Sequence, residues 1–143
     1  MKNNEDMGVL SEHTNQLNFY YYPEHKLSKE ALAYAESSDA KLNAVNIKKT
    51  KLTGTQWVEL AEMLDCSVYE LLAKEHPVFK EKYEGSTSLG TEDAIKLLQN
   101  NPELLVYPIA SRGKKAVYVK MMTDVLKLTK PYTANESRKW FIK

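Results

Sequence analysis

The sequence is poor in cysteine and has no long apolar run, and each shortage excludes a class of protein. With Cys66 as its one cysteine, the 143-residue chain can form neither an internal disulfide nor a multi-cysteine zinc site. No stretch approaches the roughly 20 apolar residues that span a membrane, and residues 1–6 lack the apolar segment of a secretion signal. We therefore expect a soluble protein of the reducing cytoplasm.

Charge, histidine and glycine exclude further classes. The formal net charge of +1 creates no field that would collect nucleic acid or acidic lipid, so no direct nucleic-acid binding is expected. His13, His25 and His76 are scattered and have no cysteine beside them, which argues against a metal site or a Ser-His-Asp triad. Gly85 and Gly90 lack the Gly-Lys-Ser/Thr ending of a phosphate-binding loop. We expect neither a metal nor a cofactor.

The length fits one domain with its own core, between two polar ends. Residues 1–15 are polar and aperiodic and are predicted to form a disordered extension. Residues 16–129 form the predicted domain, and residues 130–143 form a C-terminal tail. Trp140 and Phe141 either anchor that tail on the domain or lie in solvent.

Strand and helix patterns alternate in the first part of the domain. Residues 17–22 are aromatic and read as a strand, and residues 42–47 alternate as a second strand. Between them we predict a helix capped by Ser28. The apolar positions of this helix share one face: Leu27, Ala31, Tyr34 and Ala35. The lysines that follow the second strand are interpreted as a solvated loop.

Helical signals dominate the middle of the chain. Thr53 and Gln56 have capping-box spacing, as do Ser67 and Glu70. The first box precedes an apolar stripe of Trp57, Leu60, Ala61 and Leu64. Thr91 is predicted to start another helix.

The last part of the domain reads as a hairpin and a helix. Two short strands, at 108–110 and 116–119, flank a turn, and residues 121–128 form a closing helix. This element order is the plan of a thioredoxin-like α/β domain. We expect a mixed four-stranded sheet flanked by helices, with a helical insertion between strands two and three.

Two motifs resemble the glutaredoxin-like arsenate reductases and the related Spx-type regulators. The first, Tyr22-Pro23-Glu24-His25 with Ser28-Lys29, is similar to their Asn-Pro-x-Cys active-site turn. The second, residues 101–109, is similar to their Asn-Pro-x-Leu-(apolar)-x-Arg-Pro-Ile segment. Residues 67–72 also fall where the family has a short helix. The resemblance runs from about residue 17 to 128. It implies the thioredoxin-like fold, glutathione- or thioredoxin-linked reduction of arsenate or disulfides, and a cis bond before Pro108.

The chain differs from this family at the catalytic positions. His25 occupies the position of the nucleophilic cysteine, and Ser28 that of the second cysteine of Spx-type members. An imidazole cannot carry out the two-electron exchange of a thiolate through a mixed disulfide. Tyr107 and Ala73 stand where the resembling reductases have arginines. Lys29 is a basic residue near the start of the first helix, where the family has an arginine.

We therefore expect a pseudoenzyme that acts as a binding or regulatory module for a protein partner or a small anion. The partner or anion would bind in the groove around His25, Lys29, Tyr107 and Pro108, which together with Ser28 are the family's active-site positions, or on the aromatic first strand. The start of the first helix is a candidate anion site. That site would use His25, Lys26, Ser28 and Lys29, although a solvated helix face explains the two lysines equally well.

Two alternatives remain open. The chain could be a glutaredoxin-like thiol oxidoreductase that uses Cys66 or a partner's thiol, or an Spx-type regulator that binds RNA polymerase. Cys66 lies in the insertion, far in sequence from the first turn, and Asp65 beside it would raise its pKa.

Overall fold

The computed structural model describes residues 16–38, 40–83 and 90–128. The predicted extension 1–15 and the tail 130–143 lie outside the described residues. The strands are β1 (Gln16–Tyr21), β2 (Lys41–Asn46), β3 (Ile109–Arg112) and β4 (Lys115–Tyr118). The α-helices are α1 (Lys26–Glu36), α2 (Gly54–Met63), α3 (Pro77–Tyr83) and α4 (Thr91–Asn100). Short 3-10 helices lie at Tyr69–Leu71, Pro102–Leu104 and Met122–Leu128, the last of which we call the closing helix.

The strands form a mixed four-stranded sheet in the order β2-β1-β3-β4. β1 runs parallel to β2, with α1 as the crossover, and antiparallel to β3. β3 and β4 form a hairpin whose turn begins at Gly113, where a φ of 63° favours glycine. The predicted sheet is confirmed, although the turn is shorter than the predicted turn at residues 111–114, because β3 continues to Arg112.

A polar rung crosses three strands of this sheet. The side chain of Asn18 is 1% exposed, and its amide donates to Ser111 Oγ at 3.4 Å. Its Oδ1 accepts hydrogen bonds from Asn43 at 3.0 Å and from Gln16 at 2.8 Å. Because Asn18 pairs in register with both Asn43 and Ser111, these bonds join β2, β1 and β3 at one level.

Each face of the sheet has its own apolar core. On one face, Tyr20 and Ile109 pack with the buried side chains of α2, α3 and α4, among them Trp57, Leu60, Phe79 and Leu98. On the other face, β1 and β3 pack against α1 and the closing helix through Leu17, Phe19, Ala31, Ala35, Ala110, Val125 and Leu128. The helical insertion thus builds the first core, as its apolar stripes predicted.

The capping residues in the sequence predicted the start of α2 correctly and the cap of α1 incorrectly. Both hydrogen bonds of the capping box between Thr53 and Gln56 are present. The prediction that Ser28 caps α1 is wrong, because α1 begins at Lys26 and has His25 as its N-cap. Ser28 instead lies inside the first turn of the helix and is buried.

Two further elements differ from the prediction. α3 was not predicted, although Pro77 opens it in the position that proline favours. The predicted closing helix is present as a 3-10 helix. Among the described residues, no helix has the length and apolar character needed to cross a bilayer.

Candidate functional site

The candidate site lies in the turn between β1 and α1. The backbone N–H of His25 donates to the carbonyl of Tyr22 at 3.3 Å, and the N–H of Lys29 donates to the carbonyl of His25 at 3.3 Å. His25 has extended backbone angles and makes no capping bond with its side chain. The first N–H groups of α1 therefore point at this turn without intrahelical acceptors.

The imidazole of His25 is half-buried and packs on the ring of Tyr22, with 4.9 Å between the ring centroids. Burial lowers the pKa of His25, and the nearby ring of His76 lowers it further. The carboxylates of Glu103 and Glu24 act in the opposite direction but do not overcome burial. The ring is thus neutral at neutral pH. It provides neither the negative charge of the thiolate found at this position in the resembling reductases nor a permanent positive charge.

Ser28 supplies an unsatisfied hydroxyl to the same helix. The residue is 1% exposed, and no hydrogen-bond partner for its Oγ occurs in the part of the chain that the structure describes. An unpaired buried hydroxyl costs about 1–3 kcal/mol. The side chain of a helical residue leans toward the N-terminus, so this hydroxyl lies on the turn side of its own Cα.

The two lysines of the candidate anion site do not line the turn. Lys26 and Lys29 are both exposed. Lys29 is close enough to lower the pKa of Glu24, after the larger effect of Lys48 on that carboxyl. The structure therefore leaves these two charges in solvent, where they act on the turn only over a distance.

An ion pair that the sequence did not indicate closes one side of the turn. Lys48 forms a salt bridge with Glu24, and its Nζ lies 6.0 Å from the centre of the Tyr22 ring. The hydroxyl of Tyr22 donates to Glu24 at 3.4 Å. Lys48 follows β2, and β2 is parallel to β1, so the loops after both strands emerge at one edge. That topology was the signal that could have placed Lys48 here.

Tyr107 and Pro108 precede β3 and come to the same end of the sheet. Tyr20 pairs with Ile109 in the antiparallel ladder, so the residues before β3 lie beside those that follow β1. The ring of Tyr107 packs edge-on against Tyr118, with centroids 5.1 Å apart. An aromatic pair thus stands where the resembling reductases have an arginine.

The bond between Tyr107 and Pro108 is trans, because the described residues contain no cis peptide bond. The cis bond that the resemblance implied is therefore wrong. The trans form is favoured by about 0.5–1 kcal/mol for a bond that precedes proline. In this backbone the carbonyl of Pro108 accepts the N–H of Val119 at 2.8 Å, which extends the hairpin by one bond.

Cys66 lies at the end of α2 and is held by the backbone. Its N–H donates to the carbonyl of Ala61 at 2.9 Å, and Asp65 before it has a φ of 60°. This is the Schellman arrangement that ends many helices. Burial raises the pKa of the half-buried Cys66 thiol, and the carboxylates of Glu70 and Asp65 raise it further. The thiol is therefore protonated at neutral pH.

The described residues 16–38, 40–83 and 90–128 hold no group of three or more His, Cys, Asp or Glu side chains that could bind a metal. His13 lies outside those ranges. Ala73, at the second missing arginine, packs its side chain against the first core, and its N–H donates to the carbonyl of Leu104 at 2.8 Å. What the turn offers chemically is a set of hydrogen-bond donors, a neutral imidazole and aromatic rings.

No protein-family model and no curated protein sequence matches the chain. Solved structures do match it. An arsenate reductase from Vibrio cholerae aligns with a TM-score of 0.71 and 19% identity over 81% of this chain and 99% of that one. A Yersinia pestis protein described as an arsenate reductase aligns with a TM-score of 0.70 and 21% identity over 78% of this chain and 98% of its own.

A Bacteroides fragilis protein described as related to the ArsC family aligns over 90% of this chain and 98% of its own, with a TM-score of 0.59 and 16% identity. The structural neighbours are thus arsenate reductases and ArsC-related proteins, as the two motifs indicated. The chain has their thioredoxin-like fold.

Proposed function

We propose that this chain is an arsenate-reductase-like binding module that works without a redox thiol. The observation that carries the proposal is the neutral, half-buried imidazole of His25 at the N-cap of α1. In the resembling reductases that position holds the nucleophilic cysteine. A thiolate is required there because only a sulfur nucleophile can form and release a mixed disulfide.

The remaining thiol supports the same conclusion. The pKa of Cys66 is raised by burial and by two carboxylates, which is the opposite of the shift that activates a catalytic cysteine. Tyr107 and Ala73 also replace the two cations that would hold an oxyanion during reduction. The scaffold is retained while the nucleophile and its charge partners are absent from the matching positions.

The ligand would lie at the start of α1. The unsatisfied N–H groups of the first turn and the unpaired hydroxyl of Ser28 are donors that suit a small anion or a carboxylate of a partner protein. His25 and Tyr107 with Pro108 would form the walls. Lys26 and Lys29 would add attraction over a distance. We also propose a cytoplasmic location, because Cys66 is a free thiol.

The first test is an activity assay. Glutathione-dependent reduction of arsenate and of a small disulfide is measured with the natural chain and with Cys66→Ser. We expect both proteins to stay at the rate of the buffer control. Reduction by the natural chain that disappears in Cys66→Ser would overturn the proposal.

That outcome would favour the second candidate, a glutaredoxin-like thiol oxidoreductase. One observation supports this alternative: Cys66 is close enough to act on Tyr118, which packs against Tyr107 beside the turn. Activity that survives in Cys66→Ser would instead indicate that the assay detects another protein in the preparation.

The second test concerns the ligand. Phosphate and arsenate are titrated while the ring signals of His25 are followed by NMR. We expect shifts at millimolar anion that weaken in Ser28→Ala and persist in Ser37→Ala, since Ser37 is an exposed serine at the other end of α1. The absence of any response at millimolar anion would rule out the anion site and leave a protein partner as the proposed ligand.

The Spx-type alternative is a regulator that binds RNA polymerase. It shares the fold and requires a protein surface rather than a thiol. Direct binding of the purified chain to purified RNA polymerase, compared between the natural protein and Tyr107→Ala, tests it. Binding that depends on Tyr107 would assign the partner to this groove.

A further inference from the structure

His25 differs from the other described histidine in the way its ring is held. The ring of His76 lies at the start of α3, where its Nδ1 accepts the N–H of Val78 at 3.1 Å. The side chain of His25 makes no capping bond at the start of α1 and packs on the ring of Tyr22 instead. One half-buried imidazole therefore serves as a helix cap, whereas the other has no capping role.

A neutral imidazole at the start of α1 is a nucleophile. Its unprotonated ring nitrogen carries a lone pair, and histidine forms covalent intermediates in group-transfer reactions. Burial keeps the pKa of His25 below 6.5, so the lone pair is available at neutral pH. An imidazole cannot replace a thiolate in a redox exchange, but it can accept a group on nitrogen without any change in oxidation state.

The donors beside His25 suit a tetrahedral oxyanion. α1 has eleven residues and no side-chain cap, so its first N–H groups and the positive end of its dipole face the turn. The side chain of an N-cap residue lies beside the second and third residues of the helix, and Ser28 is the third residue of α1. A phosphoryl group on the ring of His25 would bring three acceptor oxygens to this place.

The hydroxyl of Ser28 is an independent sign that an acceptor belongs there. The residue is 1% exposed, and its Oγ has no hydrogen-bond partner among the described residues. Because a helical side chain leans toward the N-terminus, this Oγ lies on the turn side of its own Cα. A buried donor of this kind is stabilised when an oxygen of a ligand accepts its proton.

The charges around the ring allow an anion to approach. The carboxylates that act on His25 are those of Glu103 and Glu24. Glu24 is paired with Lys48, which leaves Glu103 as the carboxylate that opposes an anion. Lys26 and Lys29 are exposed at the start of α1 and add two positive charges on the side of solvent.

We propose that His25 is a phosphoryl-acceptor site for a small acyl phosphate. The nitrogen lone pair forms a bond to phosphorus, the bond between phosphorus and the acyl oxygen breaks, and the carboxylate leaves with its electron pair. The proton of the other ring nitrogen passes to water, and no atom changes oxidation state. The negative product lies at the positive end of the helix dipole, which stabilises it. The proposal rests on the anion site of the proposed function, whose donors would hold the phosphoryl oxygens.

Acetyl phosphate tests this proposal on the natural chain. The protein is incubated with the donor in buffer and in urea, and bound phosphate is mapped by mass spectrometry at alkaline pH, where phosphohistidine survives. We expect phosphate on His25 and not on His76, formed several-fold faster in the folded chain. Ser28→Ala should slow the reaction several-fold, and Ser37→Ala, at the exposed end of α1, should leave its rate unchanged.

Three results would overturn the proposal. The absence of phosphate on His25, or an equal rate in the folded and unfolded chains, would mean that the fold does not promote the transfer. Labelling of His76 at the rate of His25 would show only the ordinary reactivity of an imidazole. A rate in Ser28→Ala equal to that of the natural chain would mean that the buried hydroxyl does not hold the phosphoryl group.

The two proposals fail separately. Phosphate that shifts the ring signals of His25 without any phosphohistidine from acetyl phosphate would contradict the acceptor site and leave the binding module in place. Disulfide or arsenate reduction that depends on Cys66 would contradict the proposed function, and the phosphate on His25 is measured independently of that assay.

Discussion

The two helices α1 and α2 begin in different ways: α2 has a side-chain cap that stabilises it, and α1 has none. At the start of α2, Thr53 and Gln56 satisfy each other's backbone N–H groups. At the start of α1, the side chain of His25 makes no capping bond and the hydroxyl of Ser28 is buried without a partner among the described residues. The backbone N–H groups at the start of α2 are capped by side chains, whereas α1 has no side-chain cap.

The two helices also differ in the size of the side chains that they bury. α2 buries Trp57, Leu60 and Ala61, while α1 buries Ser28, Ala31 and Ala35. Large side chains anchor α2 to the sheet, and small ones let α1 approach its own face closely. Each difference between the helices can be tested by substitution.

Packing should give the largest effect. Leu60→Ala leaves a cavity in a fully buried position and should lower the free energy of unfolding by about 2–5 kcal/mol. Ala31→Leu adds volume where α1 meets the sheet and should cost about 1–3 kcal/mol. Urea denaturation measures both. A loss below about 1 kcal/mol for Leu60→Ala would contradict the anchoring role of α2.

The two helix starts should respond with opposite signs. Thr53→Ala removes the capping box and should lower the free energy of unfolding by about 1 kcal/mol. Ser28→Ala removes an unpaired buried hydroxyl and should raise it by about 1–2 kcal/mol. The double variant should be additive, since the helices pack on opposite faces of the sheet. Destabilisation by Ser28→Ala would mean that the hydroxyl has a partner.

Substitutions at the C-terminal ends of the two helices should change the free energy of unfolding by a smaller amount. Asp65, after α2, has a φ of 60°, a conformation that glycine adopts more easily. Asp65→Gly should therefore raise the free energy of unfolding by about 0.5–1 kcal/mol. Ser37, after α1, has an ordinary φ of −83°, so Ser37→Gly should lower it by a similar amount. Thermal and urea midpoints of the two variants decide whether their signs differ.

The smallest expected effect is a dependence on pH that arises from His25 at the start of α1. Burial holds the pKa of His25 below its ordinary value of 6.5, so in the window between the two values the unfolded chain binds more protons. The stability that His25 contributes is present above pH 6.5 and is lost as the pH falls. His25→Gln should reduce this loss, and Thr53→Ala should not. Urea midpoints measured above and below pH 6.5 test this.

Much of the fold could be predicted because its signals are local. The capping box at Thr53, the alternating pattern of β2 and the glycine of the hairpin each act within a few residues. α3 was missed because it has seven residues and buries only Phe79, too little for a visible period. Ser28 was assigned as a cap because serine favours that position, and no local pattern shows that it is buried.

The candidate site was predictable only in part. The resemblance supplied His25, Ser28, Tyr107 and Pro108, and the structure brings the turn of His25 and the start of β3 to one end of the sheet. It could not supply the pair of Glu24 and Lys48, which are 24 positions apart and meet through strand pairing. The resemblance also misled at Pro108, whose preceding bond is trans.

The polar rung of Asn18 has a consequence for how the strands find their partners. Sliding β2 by one residue would bring Leu42 or Ala44 opposite Asn18 and leave its buried oxygen short of a donor. Such a slip removes a hydrogen bond from a buried amide, in addition to moving the apolar side chains of β2 to the wrong face of the sheet. The pairing register of the sheet is thereby constrained by one side chain in β1.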